Sequence, residues 1–197
     1  MDERREDATA AELRHRTANT FQLISALARM RGQRAVEPET RRQLIWMAEA
    51  INSLGALERH RLDGGVDFKG YLQEMAPVWC RRQGARPAEV RVTCEPLIAP
   101  DQAASTLALI VHELVSNALT HAHGPDAAGR VDVSLTRGAS DRFELVVSDD
   151  GAGFDPAGAD TRERFGLWFV RSLAAQVRGE FKLETRPSVT ARLTFSL

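Results

Sequence analysis

Glu113 and Asn117 stand four residues apart in the stretch 109–122, so a helix would put both on one face. A carboxylate beside an amide on a half-buried helix offers hard oxygen ligands to a hydrated Mg²⁺. A solvated polar face would carry the same pair. A second group, Asp149-Asp150-Gly151-Ala152-Gly153, follows an apolar, strand-like run. Acidic residues at a strand end, followed by two glycines, let backbone approach a ligand closely, although an ordinary β-turn has the same composition. A third, Phe165-Gly166-Leu167, opens a helical pattern. Backbone N–H groups at a helix N-terminus favour a phosphate there, and plain capping again reads alike.

These groups need elements to hold them. The spacing predicts a helix over 101–123, opened by Pro100-Asp101, with Ile110, Leu114 and Ala118 on the buried stripe. Alternation predicts strands over 90–94, 130–136 and 142–148, and a closing hairpin from strands 179–185 and 189–195 around Pro187-Ser188. Helices are expected over 68–83, with Leu72, Met75 and Val78-Trp79 inward, and over 165–178. Strands interleaved with helices and adjacent antiparallel pairs suggest a two-layer α/β sandwich.

Ahead of this part the pattern is helical. Residues 9–31 contain no Pro or Gly, and Leu13, Thr17, Thr20, Ile24 and Leu27 recur at alternating steps of four and three. Thr9 and Glu12 have capping-box spacing, Gly32 reads as a stop, and Pro38 fits the first turn of a second helix. That helix carries Leu44, Met47, Ile51 and Leu54, and Gly64-Gly65 reads as its end. Two helices cannot enclose a core alone, so the hairpin is expected to form a four-helix bundle in a homodimer, or else to pack on its own chain. Trp46 fits either a core or a docking surface.

Lys and Arg number 26 against 27 Asp and Glu, a net charge of −1 over 197 residues, which excludes nucleic-acid binding driven by bulk charge. Cys80 and Cys94 match no zinc spacing and cannot build a disulfide scaffold, so they read as buried thiols in a reducing compartment. The charged start is not a signal peptide, and the longest apolar run, Leu107–Val111, is far short of a membrane span. The expectation is a cytoplasmic protein with no membrane or nucleic-acid partner and no sensor segment ahead of the first helix.

The order of the three groups is informative. A Glu…Asn helix, then Asp-x-Gly-x-Gly after a strand, then Gly-Leu before a helix resembles the N, G1 and G2 boxes of the GHKL ATPase fold. Upstream, Glu12-Leu-Arg-His15-Arg16-Thr-Ala-Asn19 resembles the phosphoacceptor motif of sensor histidine kinases of the HisKA_2 and HWE type. His112 before Glu113 is similar to the HWE group, whose Trp-x-Glu signature is missing.

The resemblance implies an α+β chain. Residues 1–63 would be the dimerisation and histidine phosphotransfer domain, and residues 66–197 a catalytic GHKL (Bergerat-type) domain that binds ATP and Mg²⁺. It implies that His15 accepts the γ-phosphoryl group, oriented by Glu12, with Asn19 one turn on to order water, and that Glu113 is catalytic. It further implies that Asn117 holds Mg²⁺, that Asp149 takes the adenine amino group, and that Gly151, Gly153 and Gly166 shape the nucleotide site. Thr120 stands where the family often has Lys, and Arg16 where many histidine kinases have an acid. The lid between Gly153 and Gly166 is short, with Arg162 and Arg164 but no Gly-x-Gly. The expected function is an ATP-dependent protein histidine kinase that passes its phosphoryl group to the receiver domain of a response regulator and takes its input from a separate sensor. The alternative is a histidine phosphotransferase that relays phosphoryl groups without using ATP.

Overall fold

Pro38 pre-sets φ for a first helical turn and has no N–H to leave unpaired there, and a helix does start at it. The computed structural model describes residues 3–82, 88–122, 128–138, 141–154 and 161–197. Its order is α1 (Glu3–Arg34), α2 (Pro38–Leu57), a 3₁₀ turn (Glu58–His60), β1 (Arg61–Leu62), β2 (Gly65–Asp67), α3 (Phe68–Arg82), β3 (Ala88–Cys94) and β4 (Ile98–Ala99). Then come α4 (Asp101–His121), β5 (Gly129–Arg137), β6 (Arg142–Asp149), α5 (Thr161–Gln176), β7 (Glu180–Glu184) and β8 (Thr190–Ser196).

α1 and α2 pack antiparallel, but not through the expected stripe. Ser25 is buried and donates to the Ala48 carbonyl at 2.8 Å. A Cβ on Gly32 would lie 3.3 Å from Leu44 Cβ, and one on Gly55 would lie 3.2 Å from Phe21 Cβ. The seam on α1 is therefore Ala18, Phe21, Ser25, Ala28 and Gly32, which are covered to varying degrees. These residues also follow three-four spacing, and most are small, so the backbones come close. Leu13, Ile24 and Leu27 are left exposed. Gly32 does not end α1, which runs on to Arg34, and Thr9 lies within the helix that starts at Glu3.

Gly64-Gly65 does not stop α2 either. Gly64 takes φ +91° in the turn that joins β1 to β2, a conformation that favours glycine. β2 pairs with β4, a strand too short to show any alternation.

The main sheet is mixed, in the order β3-β5-β6-β8-β7, with β3–β5 parallel and the other pairs antiparallel. α4 is the crossover between the parallel pair. Val131, Val133 and Leu135 on β5, Leu145 and Val147 on β6, and Ala191, Leu193 and Phe195 on β8 form the inner face. Leu107, Ile110, Val111 and Val115 of α4 pack in the same core, with Val170 and Ala174 of α5 and Tyr71, Leu72, Met75 and Trp79 of α3. Each large apolar side chain buried this way contributes about 1.5–3 kcal/mol. α4 is long and apolar enough by composition to cross a membrane. Here it is the core helix, and it buries His112 and Glu113 as well as its apolar stripe.

Candidate nucleotide site and phosphoacceptor helix

α4 places Glu113 and Asn117 on one face, as their spacing requires. Asn117 Nδ2 donates to Glu113 Oε1 at 2.8 Å, and Glu113 is buried. The other carboxylate oxygen, Oε2, accepts the indole N–H of Trp46 at 2.6 Å. Glu113 therefore touches α2 as well as its own helix.

Beside this pair is a cavity of about 180 Å³. Leu114, Ala118, Val147, Leu167, Leu183 and Val189 give it apolar walls, and Asn117, His121 and Asp149 supply its polar groups. Asp149, at the end of β6, is buried, and its Oδ1 accepts the N–H groups of Gly151 (2.9 Å) and Val189 (3.4 Å). The carboxylate thus ties the glycine turn to the segment that leads into β8.

The glycines of that turn have a structural reason to be glycine. A Cβ on Gly151 would fall 2.2 Å from the Ala122 carbonyl oxygen, and one on Gly153 would fall 2.1 Å from that of Thr185. Gly153 also takes φ +66°. Both let the turn press on neighbouring backbone, which holds it at the cavity mouth.

Gly166 differs in place from the sequence expectation. α5 starts at Thr161, so Gly166 lies inside the helix and not at its N-terminus. A Cβ there would meet Glu113 Oε1 at 2.2 Å and Asn117 Nδ2 at 3.3 Å. Its bareness makes room for the Glu113–Asn117 pair.

On α1, His15 is exposed, and Asn19 Nδ2 lies 3.2 Å from its Nδ1. Glu12 does not orient the imidazole. Its carboxylate takes Arg16 at 2.6 Å instead, so the residue standing in the usual acid position captures the acid one turn back. Thr120 donates to the Ser116 carbonyl of its own helix. His60 pairs with Glu74 at 2.7 Å. His123 lies outside the described residues, as do the side chains of Arg162 and Arg164. Burial pushes the Cys94 thiol up to about 11, so it stays protonated at neutral pH.

Residues 102–197 match the family described as histidine kinase-, DNA gyrase B- and HSP90-like ATPase. The sensor histidine kinase PdtaS of Mycobacterium tuberculosis is 32% identical over 177 residues, which cover 86% of this chain and 35% of that protein. The blue-light-activated histidine kinase 2 of Erythrobacter litoralis is 26% identical over 189 residues, covering 90% of this chain and 53% of that one. The chain belongs to the histidine kinases that carry a GHKL ATPase domain.

For this kinase-family chain the fold agrees across its length. The solved histidine kinase domain of an Erythrobacter litoralis blue-light-activated kinase superposes with a TM-score of 0.71 at 22% identity, covering 100% of this chain and 95% of that one. The chain spans about a third of the length of the first curated relatives it matches, 35% of PdtaS. Glu113, Asn117, Asp149, Gly151, Gly153 and Gly166 all fall within the ATPase match, whereas Glu12, His15 and Asn19 precede it.

Sequence reasoning missed the residues that the site borrows from distant segments. Thr185 and Val189 support the glycine turn from the far hairpin, and Trp46 reaches Glu113 from 67 residues away. The only signal for Trp46 was an indole N–H on a mostly apolar helix, since a covered indole calls for an acceptor.

Proposed function

We propose that this chain binds Mg·ATP in the cavity beside α4, phosphorylates His15 and passes the phosphoryl group to an aspartate in the receiver domain of a response regulator. The observation that supports it best is the arrangement of Asn117 and Asp149 in one largely apolar cavity, within a segment of the matching ATPase family. An adenine ring fits apolar walls such as Val147, Leu183 and Val189. The backbone donors to Asp149 both go to Oδ1, so Oδ2 is the atom that an exocyclic amine would meet.

The residues fit a magnesium ion. Asn117 gives its Nδ2 to Glu113, which turns its carbonyl oxygen, a hard ligand, away from that bond. When bound, the ion would neutralise phosphate charge. The chain's own part is positioning. Glu113 fixes the Asn117 amide, Gly166 leaves room for both, and the Asp149 turn sets the depth of the base.

In the transfer itself, His15 Nε2 forms a bond to the γ-phosphorus, the bond to the β–γ bridging oxygen breaks, ADP leaves, and the imidazole releases one proton to water. Exposure of His15 on α1 supports its being within reach of a kinase domain and of a receiver. The exposed stripe of Leu13, Ile24 and Leu27 supports a homodimer through residues 1–63. In that assembly α2 faces the chain's own ATPase domain and α1 faces a second copy.

The test is labelling with γ-labelled ATP and Mg²⁺ in the absence of any other kinase. His15 should take up acid-labile, base-stable label, and His15→Gln should not. Nucleotide binding without label over hours, followed by label arriving from a phosphorylated receiver, replaces the kinase with a phosphotransfer relay.

A further inference from the structure

Trp46 makes a contact that phosphoryl transfer does not require. Its indole N–H holds Glu113 Oε2 at 2.6 Å, and its ring stands edge-on to Phe169 of α5 with centroids 5.5 Å apart. The other Glu113 oxygen is held by Asn117 and lies where a Gly166 Cβ would be. One buried carboxylate is thus the point where α2, α4 and α5 meet, and α2 is the only one of the three that belongs to the hairpin.

The height of this contact along the hairpin matters. A Cβ on Gly32 would lie against Leu44 and one on Gly55 against Phe21, which sets the register of α1 on α2. On that register Trp46 is level with Met30 of α1. His15 lies fifteen residues from Met30, which is about 22 Å along the axis at 1.5 Å per residue. A phosphoryl group bound beside Asn117 needs its phosphorus within roughly 3–3.5 Å of the attacking nitrogen. It cannot meet that condition while Glu113 is docked at Trp46. A second copy related by a two-fold axis along the hairpin would carry its imidazole at the same height, so transfer between copies is blocked as well.

We propose that Trp46 is a latch: its hydrogen bond to Glu113 and its contact with Phe169 hold the ATPase domain away from His15, and phosphoryl transfer follows their release. This rests on the reading of His15 as the acceptor. The latch joins the hairpin to the nucleotide site in both directions, because a ligand that shifts Asn117 or Glu113 weakens the contact, and a hairpin movement that withdraws Trp46 frees the carboxylate. The signal that opens it would act on α1 or α2.

Two variants of the full chain separate the parts of the contact. Trp46→Phe removes the N–H and keeps a ring against Phe169, whereas Trp46→Ala removes both. Amide hydrogen exchange, read by mass spectrometry, should show falling protection in α2 and α4 in the order wild type, W46F, W46A. His15 labelling by ATP should rise in the same order, by about threefold or more in W46A, while affinity for a non-hydrolysable ATP analogue stays the same or rises and does not fall. Unchanged exchange in both variants overturns the latch, whatever the labelling does. Slower labelling in both overturns it too, and makes Trp46 a positioning residue for a reactive Glu113. Loss of protection with no label in any protein leaves the latch standing and removes the acceptor reading.

Discussion

Asn19 and His15 pair across one turn of α1, with the amide nitrogen 3.2 Å from imidazole Nδ1. The amide occupies the ring nitrogen nearer the backbone and leaves Nε2 facing outward. With its oxygen turned to the ring, it would hold the proton on Nδ1 and leave the Nε2 lone pair for phosphorus. A neutral, exposed hydrogen bond is worth ~0.5–1 kcal/mol, so Asn19→Ala should slow His15 labelling only about two- to fivefold. It should slow dephosphorylation of a cognate receiver more, because the amide is also placed to order a water. Time courses of both reactions check this, and equal receiver decay with wild type and variant removes the water-ordering role.

Gly166→Ala should disturb the site from inside a helix. The new methyl would sit 2.2 Å from Glu113 Oε1, closer than any real contact allows, so the buried carboxylate must move. Overpacking of this kind costs ~1–3 kcal/mol. A lowered melting temperature together with weakened nucleotide binding is expected. Wild-type values for both would mean that α5 shifts freely away from α4.

Asp149→Asn and Asn117→Ala test opposite sides of the cavity. Losing a charge-assisted hydrogen bond to the base should cost ~1.5–3 kcal/mol, or about ten- to a hundredfold in affinity. Asn117→Ala should weaken Mg·ATP more than ATP alone. Calorimetric titration of both variants, with and without Mg²⁺, reads the difference.

How much of this was legible in the sequence depended on whether a signal was local. The start of α2 was readable because Pro38 acts on its own backbone, and β5 and β6 because alternation is a property of each strand. Glu113 and Asn117 were readable because four residues is a helical turn. Gly32 was misread. The feature that makes glycine a stop also lets two helices approach, and only the presence of Leu44 across the seam decides which applies. The same holds for Gly166, whose neighbour is a carboxylate on another helix. The stripe read on α1, Leu13, Thr17, Thr20, Ile24 and Leu27, is not the one that meets α2: mostly small residues make that contact, because close backbone approach there excludes bulk. Trp46 was ambiguous for a similar reason, since its acceptor lies in a different segment of the chain.

Glu74 makes the connection between the hairpin and the ATPase domain sensitive to acid. Burial pushes its carboxyl up, but hydrogen bonds from Arg59 and His60 outweigh that and hold it below the usual range. A carboxylate lowered in the folded state stabilises it above the unfolded value of about 4.3, and that contribution is lost as pH falls through the lower folded value. Glu74→Gln should therefore melt below wild type at pH 7, with the gap closing as pH falls below the usual carboxylate range. Melting curves at several pH values give the result, and a gap independent of pH would assign the loss to packing.

Leu27→Glu puts a charge on the exposed stripe of α1, where Leu27 is 54% exposed and carries little of the chain's own core. Light scattering should give a dimer mass for the wild-type protein at micromolar concentration and a monomer mass for the variant, with unchanged melting of the ATPase domain. A wild-type monomer would remove the bundle and leave the cavity as described.

The outer strands of the main sheet limit how copies of this chain can meet. β7 presents Glu180, Lys182 and Glu184 on its exposed side, with Lys182 2.9 Å from Glu180, and β3 presents the Glu89–Arg91 pair at 2.8 Å. A strand from another copy laid against either margin would have to desolvate ion pairs that already satisfy each other, and charged margins of this kind resist templated growth. The two open borders of the main sheet are in this sense insulated, and ladder-type polymerisation and fibril seeding through that sheet are disfavoured. Among the described residues most of the exposed large apolar side chains lie on helices, Leu13, Leu23, Ile24, Leu27, Met30 and Trp168 among them, so crowding or overexpression should drive finite, helix-mediated association before it drives aggregation.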